Sequence, residues 1–268
     1  LDQGQVILVG ARSDHTFAGI LGGPGADENN LALVKDGAGT LTLSGANTYE
    51  GLTTIRGGTL RAGNGSALGS GVVRTDILSG GTLDINGQNL QSEAITVAGT
   101  ITNTGGGQNN ALQNVTLTGD ATFTGTWRWD IRGGSLDLAG FTVAKTGTNK
   151  VAIVDSTISA GDVVVNEGIF SLTRSTWAAG SLTVNAGATL ELENNSSGTY
   201  GMDVALNDGR LWMHGGGRTL TGQVALGGAN TIQIDGGDTL TLGGLVHGSG
   251  SFDKTNSGIL TLTQANTY

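Results

Sequence analysis

Apolar and polar positions alternate along this chain with a period of two. From Lys35 to Gly63, apolar side chains alternate with small or polar ones, and glycines punctuate the run. Leu41 and Leu43 fall on one side of a strand and Thr40, Thr42 and Ser44 on the other. The run breaks at Gly45-Ala46-Asn47, resumes with Thr53 and Ile55 on one face, and resumes again at Thr59-Leu60-Arg61. Three short strands with tight turns fit within about 20–25 residues, which is one coil of a parallel β-solenoid rather than a hairpin. The pattern returns at the other end, where Lys254 to Tyr268 matches Lys35 to Tyr49 at a constant offset of 219 residues.

Between these stretches a smaller unit recurs, a glycine-containing turn followed by Leu-x-Leu or a close variant. Copies stand at Gly80–Ile85, Gly133–Leu138, Gly187–Leu192, Asp208–Met213 and Gly237–Leu242. Leu60 to Leu83 is 23 residues and Leu190 to Leu211 is 21, whereas Leu83 to Leu136 is 53 and Leu136 to Leu190 is 54. The longer gaps read as two or more coils with a degraded signal, as at Ile95-Thr96-Val97, Val115-Thr116-Leu117, Val163-Val164-Val165 and Leu182-Thr183-Val184. Nowhere does an apolar i, i+3, i+4, i+7 pattern persist for three turns, so essentially no helix is expected. About 22 residues per coil predicts about 12 coils in an all-β parallel solenoid, a rod about 55–60 Å long at the usual strand spacing. No linker divides the chain, so residues 1–268 read as a single segment. Residues 105–110 and 194–198 read as loops projecting from the coils. The chain opens inside strand-like sequence, Gln5 to Val9, and closes in mid-repeat at Tyr268, which predicts a piece excised from a longer protein.

Composition supports short strands and tight turns. Glycine is 49 of 268 residues, about 18% against an average near 7%. A single proline, Pro24, rules out a collagen-like chain. Charged residues are 13% and aromatics 4%. The net charge of −9 disfavours nucleic acid and anionic membrane as partners, because both require clustered Lys and Arg. With no cysteine there is neither a disulfide framework nor a thiolate metal site.

Residues 33–63 resemble the passenger-associated repeat of bacterial autotransporters, the type V secreted proteins. The pattern is carried by Lys35, Gly37, Gly39, Leu41, Leu43, Gly45, Asn47, Thr48, Tyr49, Gly51, Thr53, Ile55, Gly58 and Leu60. A truncated second copy over 254–268 keeps Lys254, Gly258, Leu260, Leu262, Asn266, Thr267 and Tyr268 but departs at Asn256 and Gln264, where the family has glycine. The resemblance implies a right-handed parallel β-helix on the bacterial surface or released from it, serving as stalk or adhesive surface. It also implies help from the repeat in export and folding, and a membrane link only through a C-terminal outer-membrane barrel outside this chain. In such a coil Gly39, Leu41, Leu43, Asn47, Tyr49, Gly51, Ile55, Gly58 and Leu60 are structural positions. Phe17–Gly23 weakly echoes Leu242–Gly248, so the 219-residue unit reads as a large repeat in its own right.

Candidate chemistry is sparse. Gly22-Gly23-Pro24-Gly25-Ala26-Asp27 fits a calcium-binding β-roll turn, but it is a single copy and the pattern wants an apolar residue at Asn29. The plain glycine-rich turn is therefore preferred. Asp84, Asp137 and Glu191 share the outward slot of Leu-x-Leu; a glycan lyase or hydrolase would need such carboxylates close together, yet intervening coils separate them. Arg128 and Arg132 are the nearest candidate bases. His15, His214 and His247 are far apart in sequence, and no nucleophile elbow or phosphate loop is present. Phe123, Trp127, Trp129 and Ile131 share parity and read as core, whereas Trp212 occupies an outward slot as a contact for glycan or protein. The expectation is a structural or adhesive segment without catalytic residue, cofactor or metal. Its partner would be a host surface, a matrix component or another copy of the chain. Self-association leading to cell aggregation is the alternative, and a glycan-cleaving enzyme the least favoured one.

Overall fold

A computed structural model describes residues 5–25, 27–193 and 198–268. Every regular element among them is a β-strand, and the strands described pair in parallel. The chain forms a parallel β-solenoid of about 11 turns, close to the 12 coils expected. It comprises two compact units, one ending at Arg132 and one starting at Gly133.

In the first unit one sheet contains Gln5–Gly10, Leu31–Asp36, Thr53–Ile55, Thr75–Ile77, Ala94–Val97 and Gln108–Leu117. A second sheet contains His15–Phe17, Thr40–Leu43, Gly58–Ala62, Gly81–Asp84, Thr100–Thr102 and Ala121–Phe123. Register aligns equivalent residues of successive coils. Leu41, Leu60, Leu83, Ile101 and Phe123 form one inward column and Ile55, Ile77, Val97 and Leu117 another, all buried. Each Leu-x-Leu unit thus supplies its two apolar residues to a core that no single coil could bury alone.

In the second unit a sheet of Lys150–Val154, Ile169–Thr173, Thr189–Glu193, Arg210–His214, Ala229–Ile234 and Ser251–Thr255 packs with a second of Thr142–Lys145, Asp162–Val165, Ser181–Val184, Asp203–Asn207, Val224–Gly227 and Val246–Gly248. A third, of Gly198–Tyr200, Gly217–Leu220, Thr239–Leu242 and Ile259–Leu262, adds another side. Phe170, Leu190, Leu211 and Ile232 form one core column, and Leu172, Leu192 and Met213 a parallel one.

Gly58 has a positive φ of 62°, and a side chain at Gly51 would collide with the Leu31 carbonyl of the previous coil. Asn47 is buried, accepts a hydrogen bond from Leu21 N at 2.8 Å and donates to Ala67 O at 2.6 Å, so one amide joins three coils. Asn266 repeats half of this by accepting from Val246 N at 2.8 Å. The two copies differ in setting. Leu41 and Leu43 are buried, while Leu260 and Leu262 are half-buried in the last strand of their sheet. Tyr49 is buried with its hydroxyl 2.6 Å from Thr53 Oγ1; Tyr268 is exposed, its ring 5.4 Å from that of Phe252.

Some expectations need correction. Trp129 is buried against Phe123 with its indole N–H on Thr124 O at 2.9 Å, but Trp127 is 55% exposed. Residues 124–128 are not strand, so the parity argument does not carry across them. Gln108–Asn110 open a ten-residue strand and only 105–107 are loop. Of the second expected loop, residues 194–197 lie outside the described residues, and Gly198 begins a strand.

Candidate functional surface

The outward carboxylates form no column. Asp84 has Arg61 and Thr102 as register neighbours, whereas Glu191 has Ser171 and Trp212. Although it points outward, Asp84 is only 1% exposed. Its carboxylate accepts from Arg61 Nε at 2.7 Å, Thr104 Oγ1 at 2.6 Å and the backbone N–H groups of Asn86 and Thr104. Asp137 is half-buried and accepts from Ser159 Oγ at 2.6 Å and Ala139 N at 3.1 Å. Both carboxylates pin turns of their own and neighbouring coils, so the solvent-facing role expected for Asp84 does not fit its burial.

Trp212 and Glu191, by contrast, are brought together on the outer face of Arg210–His214 and its neighbours. Alternation sends Leu211 and Met213 into the core and leaves Arg210, Trp212 and His214 outside. The Arg210 guanidinium carbon lies 5.3 Å from the Trp212 ring centre, a cation–π arrangement. The His214 ring centre lies 4.5 Å from that of Trp212 on the other side. Arg210 also donates to Thr189 Oγ1 at 3.1 Å and to Gln233 Oε1 at 3.4 Å. Asp235 accepts from Trp212 Nε1 at 3.3 Å, Gln233 Nε2 at 3.2 Å and Asn256 Nδ2 at 2.7 Å. Burial pushes the Asp235 carboxyl up, but these three hydrogen bonds outweigh it and hold it below the usual carboxylate range. The result is a half-exposed indole held by charged and amide groups from adjacent coils. An open cavity of about 280 Å³ beside Arg210 is lined by Thr189, Asp208, Arg210 and Thr231.

Glu191 belongs to the buried side of this surface. Lys150 Nζ approaches it at 2.5 Å and Glu193 at 2.7 Å, and His214 Nε2 lies 3.0 Å from Glu191 Oε1. His214 thus has two carboxylates in reach, but Lys150 neutralises both, and the cavity beside Arg210 is lined by neither of them. Of the other histidines, His15 lies 3.1 Å from Ser13 Oγ and His247 is half-buried.

Sequence reasoning missed the buried polar groups. Lys35 points into the core and its ammonium donates to three carbonyls, of Asp36, Gly37 and Gly57, at 2.7–3.0 Å. Lys145 does the same to Thr146, Gly147 and Glu167 at 2.7–3.0 Å. The shared Lys-x-Gly spelling is the signal that could have paired them. Glu93 is buried and accepts from Thr75 Oγ1 at 2.7 Å. Asp130 is buried between Arg128, at 2.8 Å, and Arg132, at 2.9 Å, so these arginines are ion-pair partners and not bases.

Comparison with known proteins agrees with this architecture. The passenger-associated-transport-repeat family matches residues 33–62, 114–138 and 252–268. The first and last correspond to the two copies read from the pattern. The middle one lacks the leading lysine, but its Ile131-Arg132-Gly133-Gly134-Ser135-Leu136 parallels Ile55-Arg56-Gly57-Gly58-Thr59-Leu60. The chain is 30% identical over 236 residues to the Adhesin BmaC autotransporter of Brucella suis biovar 1 (strain 1330). That match covers 87% of this chain but only 6% of the relative's length. No solved structure matches the chain. The chain carries passenger-associated transport repeats, and the repeats together with the similarity over most of its length support an autotransporter passenger stretch. The repeats and the similarity to an autotransporter adhesin place it at the bacterial cell surface or among secreted chains.

Proposed function

We propose that this chain is an adhesive and structural stretch of a surface protein, without catalytic activity of its own. The observation that carries the reading is the strip around Trp212. Asp84 and Asp137 are taken up in tying turns of neighbouring coils, whereas here Arg210 and Asp235 hold an indole that stays partly exposed. A fixed aromatic face flanked by guanidinium and amide groups suits the apolar face and hydroxyls of a sugar, or a protein side chain, on a host surface or matrix. The name of the Brucella relative, an adhesin, supports the same reading. The test displays the chain on a non-adherent bacterium and measures retention on host cells, matrix proteins and immobilised glycans. Trp212→Ala lowers retention at least tenfold with an unchanged melting temperature; equal retention of wild type and variant sinks this surface as the contact.

A second reading, self-association, is favoured by one observation. Thr40, Thr59, Thr82, Thr100 and Thr122 form an outward, half-buried column in the first unit, every pair in register. Such a neutral, flat array can meet a second copy through hydroxyl hydrogen bonds. Clumping of cells that display the chain, abolished by Thr82→Lys, would support this; dispersed cells at every density would count against it.

A further inference from the structure

The outer face beside Trp212 gathers metal-ligating groups from adjacent coils. Ser171 pairs in register with Glu191, Thr173 with Glu193, and Glu193 in turn with His214. One ligand atom each from Glu191, Glu193 and His214 lie within 4.8 Å of one another. Directly beside them, Ser171 Oγ and Thr173 Oγ1 are buried, the residues being 0% and 6% exposed, and neither has a hydrogen-bond partner. Phe170 and Leu172 point to the core, so these hydroxyls share the face of the glutamates. Buried hydroxyls are almost always paired, and two adjacent exceptions aimed at one cluster mark a place shaped for something that accepts their lone pairs. A cation already favours the spot: Lys150 Nζ reaches both carboxylates from two coils away. Its approach to Glu191 Oε2 is close yet misaligned for a hydrogen bond, so the ammonium satisfies the charge but not the geometry.

We propose that Glu191, Glu193 and His214 form a binding site for a divalent transition metal of the zinc type, with Lys150 as the resident cation that the metal displaces. One imidazole and two carboxylates are a mixed nitrogen–oxygen donor set, which suits zinc and its neighbours, whereas calcium and magnesium take all-oxygen shells. The Ser171 and Thr173 hydroxyls supply further oxygen around the ion. Because the ligands come from consecutive coils, the bound ion is a staple across strands Thr189–Glu193 and Arg210–His214, and binding stabilises the fold. This site stands apart from the adhesive reading, since its readout is binding and stability.

Zinc chloride is titrated calorimetrically into the untagged chain, and thermal unfolding is followed in zinc, calcium or EDTA. The expected result is one equivalent of zinc bound and a melting temperature several degrees higher in zinc than in EDTA or calcium. Lys150→Met removes the competitor and tightens zinc binding at least tenfold, while His214→Ala weakens it at least tenfold. Ser171→Ala, which keeps all three ligands and fills the same space, tests the same site should His214→Ala fold poorly, and lowers affinity measurably. Absence of zinc binding by a folded Lys150→Met chain overturns the proposal. So does equal binding by wild type and His214→Ala, which would locate the ion at His15 or His247, or a response to calcium equal to that to zinc.

Discussion

Glu93 shows at the scale of one residue how the core handles a charge. It ends an inward polar ladder: Tyr49 bonds Thr53, Thr53 lies in register with Thr75, and Thr75 donates to Glu93. Burial pushes the Glu93 carboxyl up to about 7, against the opposing hydrogen bond from Thr75. The folded state therefore holds a proton that the unfolded state releases near the ordinary glutamate value. Stability from this group is complete at acidic pH and is lost as pH rises through about 7, up to about 3 kcal/mol at pH 8 by linkage. Glu93→Gln keeps an acceptor for Thr75 without the charge. It is expected to melt close to wild type at pH 5 and several degrees higher at pH 8; a difference independent of pH would show that Glu93 does not titrate in this range. Lys145 is the opposite case. Burial pushes its ammonium down to about 8, yet it remains the donor to three turn carbonyls. Lys145→Met keeps the stem and strands those acceptors, costing about 2–4 kcal/mol, measurable as a lower midpoint in urea.

At the scale of the element, a coil is stabilised as much by side-chain staples as by its apolar column. Asn47 joins three coils through one amide, and Asn230 does likewise through Gly209 N, Gly227 O and Ser251 O. Asn47→Ala leaves Leu21 N and Ala67 O without partners and is expected to cost about 2–3 kcal/mol. Asn47→Asp keeps the acceptor but loses the donor, so it should protect Leu21 N from exchange and still melt lower than wild type. If the two variants melt alike and above wild type, the staple is not structural. This explains what could be read from the sequence and what could not. Alternation placed Leu41, Leu43, Leu60 and Leu83 in the core because a strand has only two faces. The same rule assigns Asp84 and Glu191 to the face opposite the leucines, but it is silent on what lies over an outward side chain. Arg61 and Thr104 engage Asp84, and Lys150 reaches Glu191 from two coils away. Lys35 was legible as a repeat residue but not as a core one, since nothing local shows that a turn will offer it three carbonyls. The cluster of Glu191, Glu193 and His214 depends on the register between coils, which the spacing of 21 residues between Leu190 and Leu211 implied but did not fix to the residue.

At the scale of the whole molecule, a solenoid is a chain of near-identical contacts, and its stability is a sum over neighbouring coils. An interior strand pairs on both edges, while a strand at the end of a sheet pairs on one. Gln5–Gly10 is such an end, and its Val6 and Leu8 are exposed. Beside it lies an apolar cavity of about 280 Å³, lined by Ile7, Val9, Phe17, Leu33 and Leu43. Ile259–Leu262 is the matching end of the four-stranded sheet, with Ile259 exposed. In the isolated chain, each strand lost from such an end exposes the next one to the same deficit, so opening proceeds inward from the end strands rather than at once. Amide exchange is expected to follow that order. Residues 5–10, 15–17 and 259–262 should exchange at least about a hundredfold faster than 75–84 or 170–192. Capping the first coil by substituting Val6→Lys and Leu8→Glu should lower edge-to-edge association of the isolated chain without slowing exchange at 15–17, because charge blocks pairing with another strand but restores no missing neighbour. Uniform exchange along the whole chain, lost in one cooperative step, would contradict a stability built coil by coil and would require coupling between distant strands that the short pairings described here do not supply.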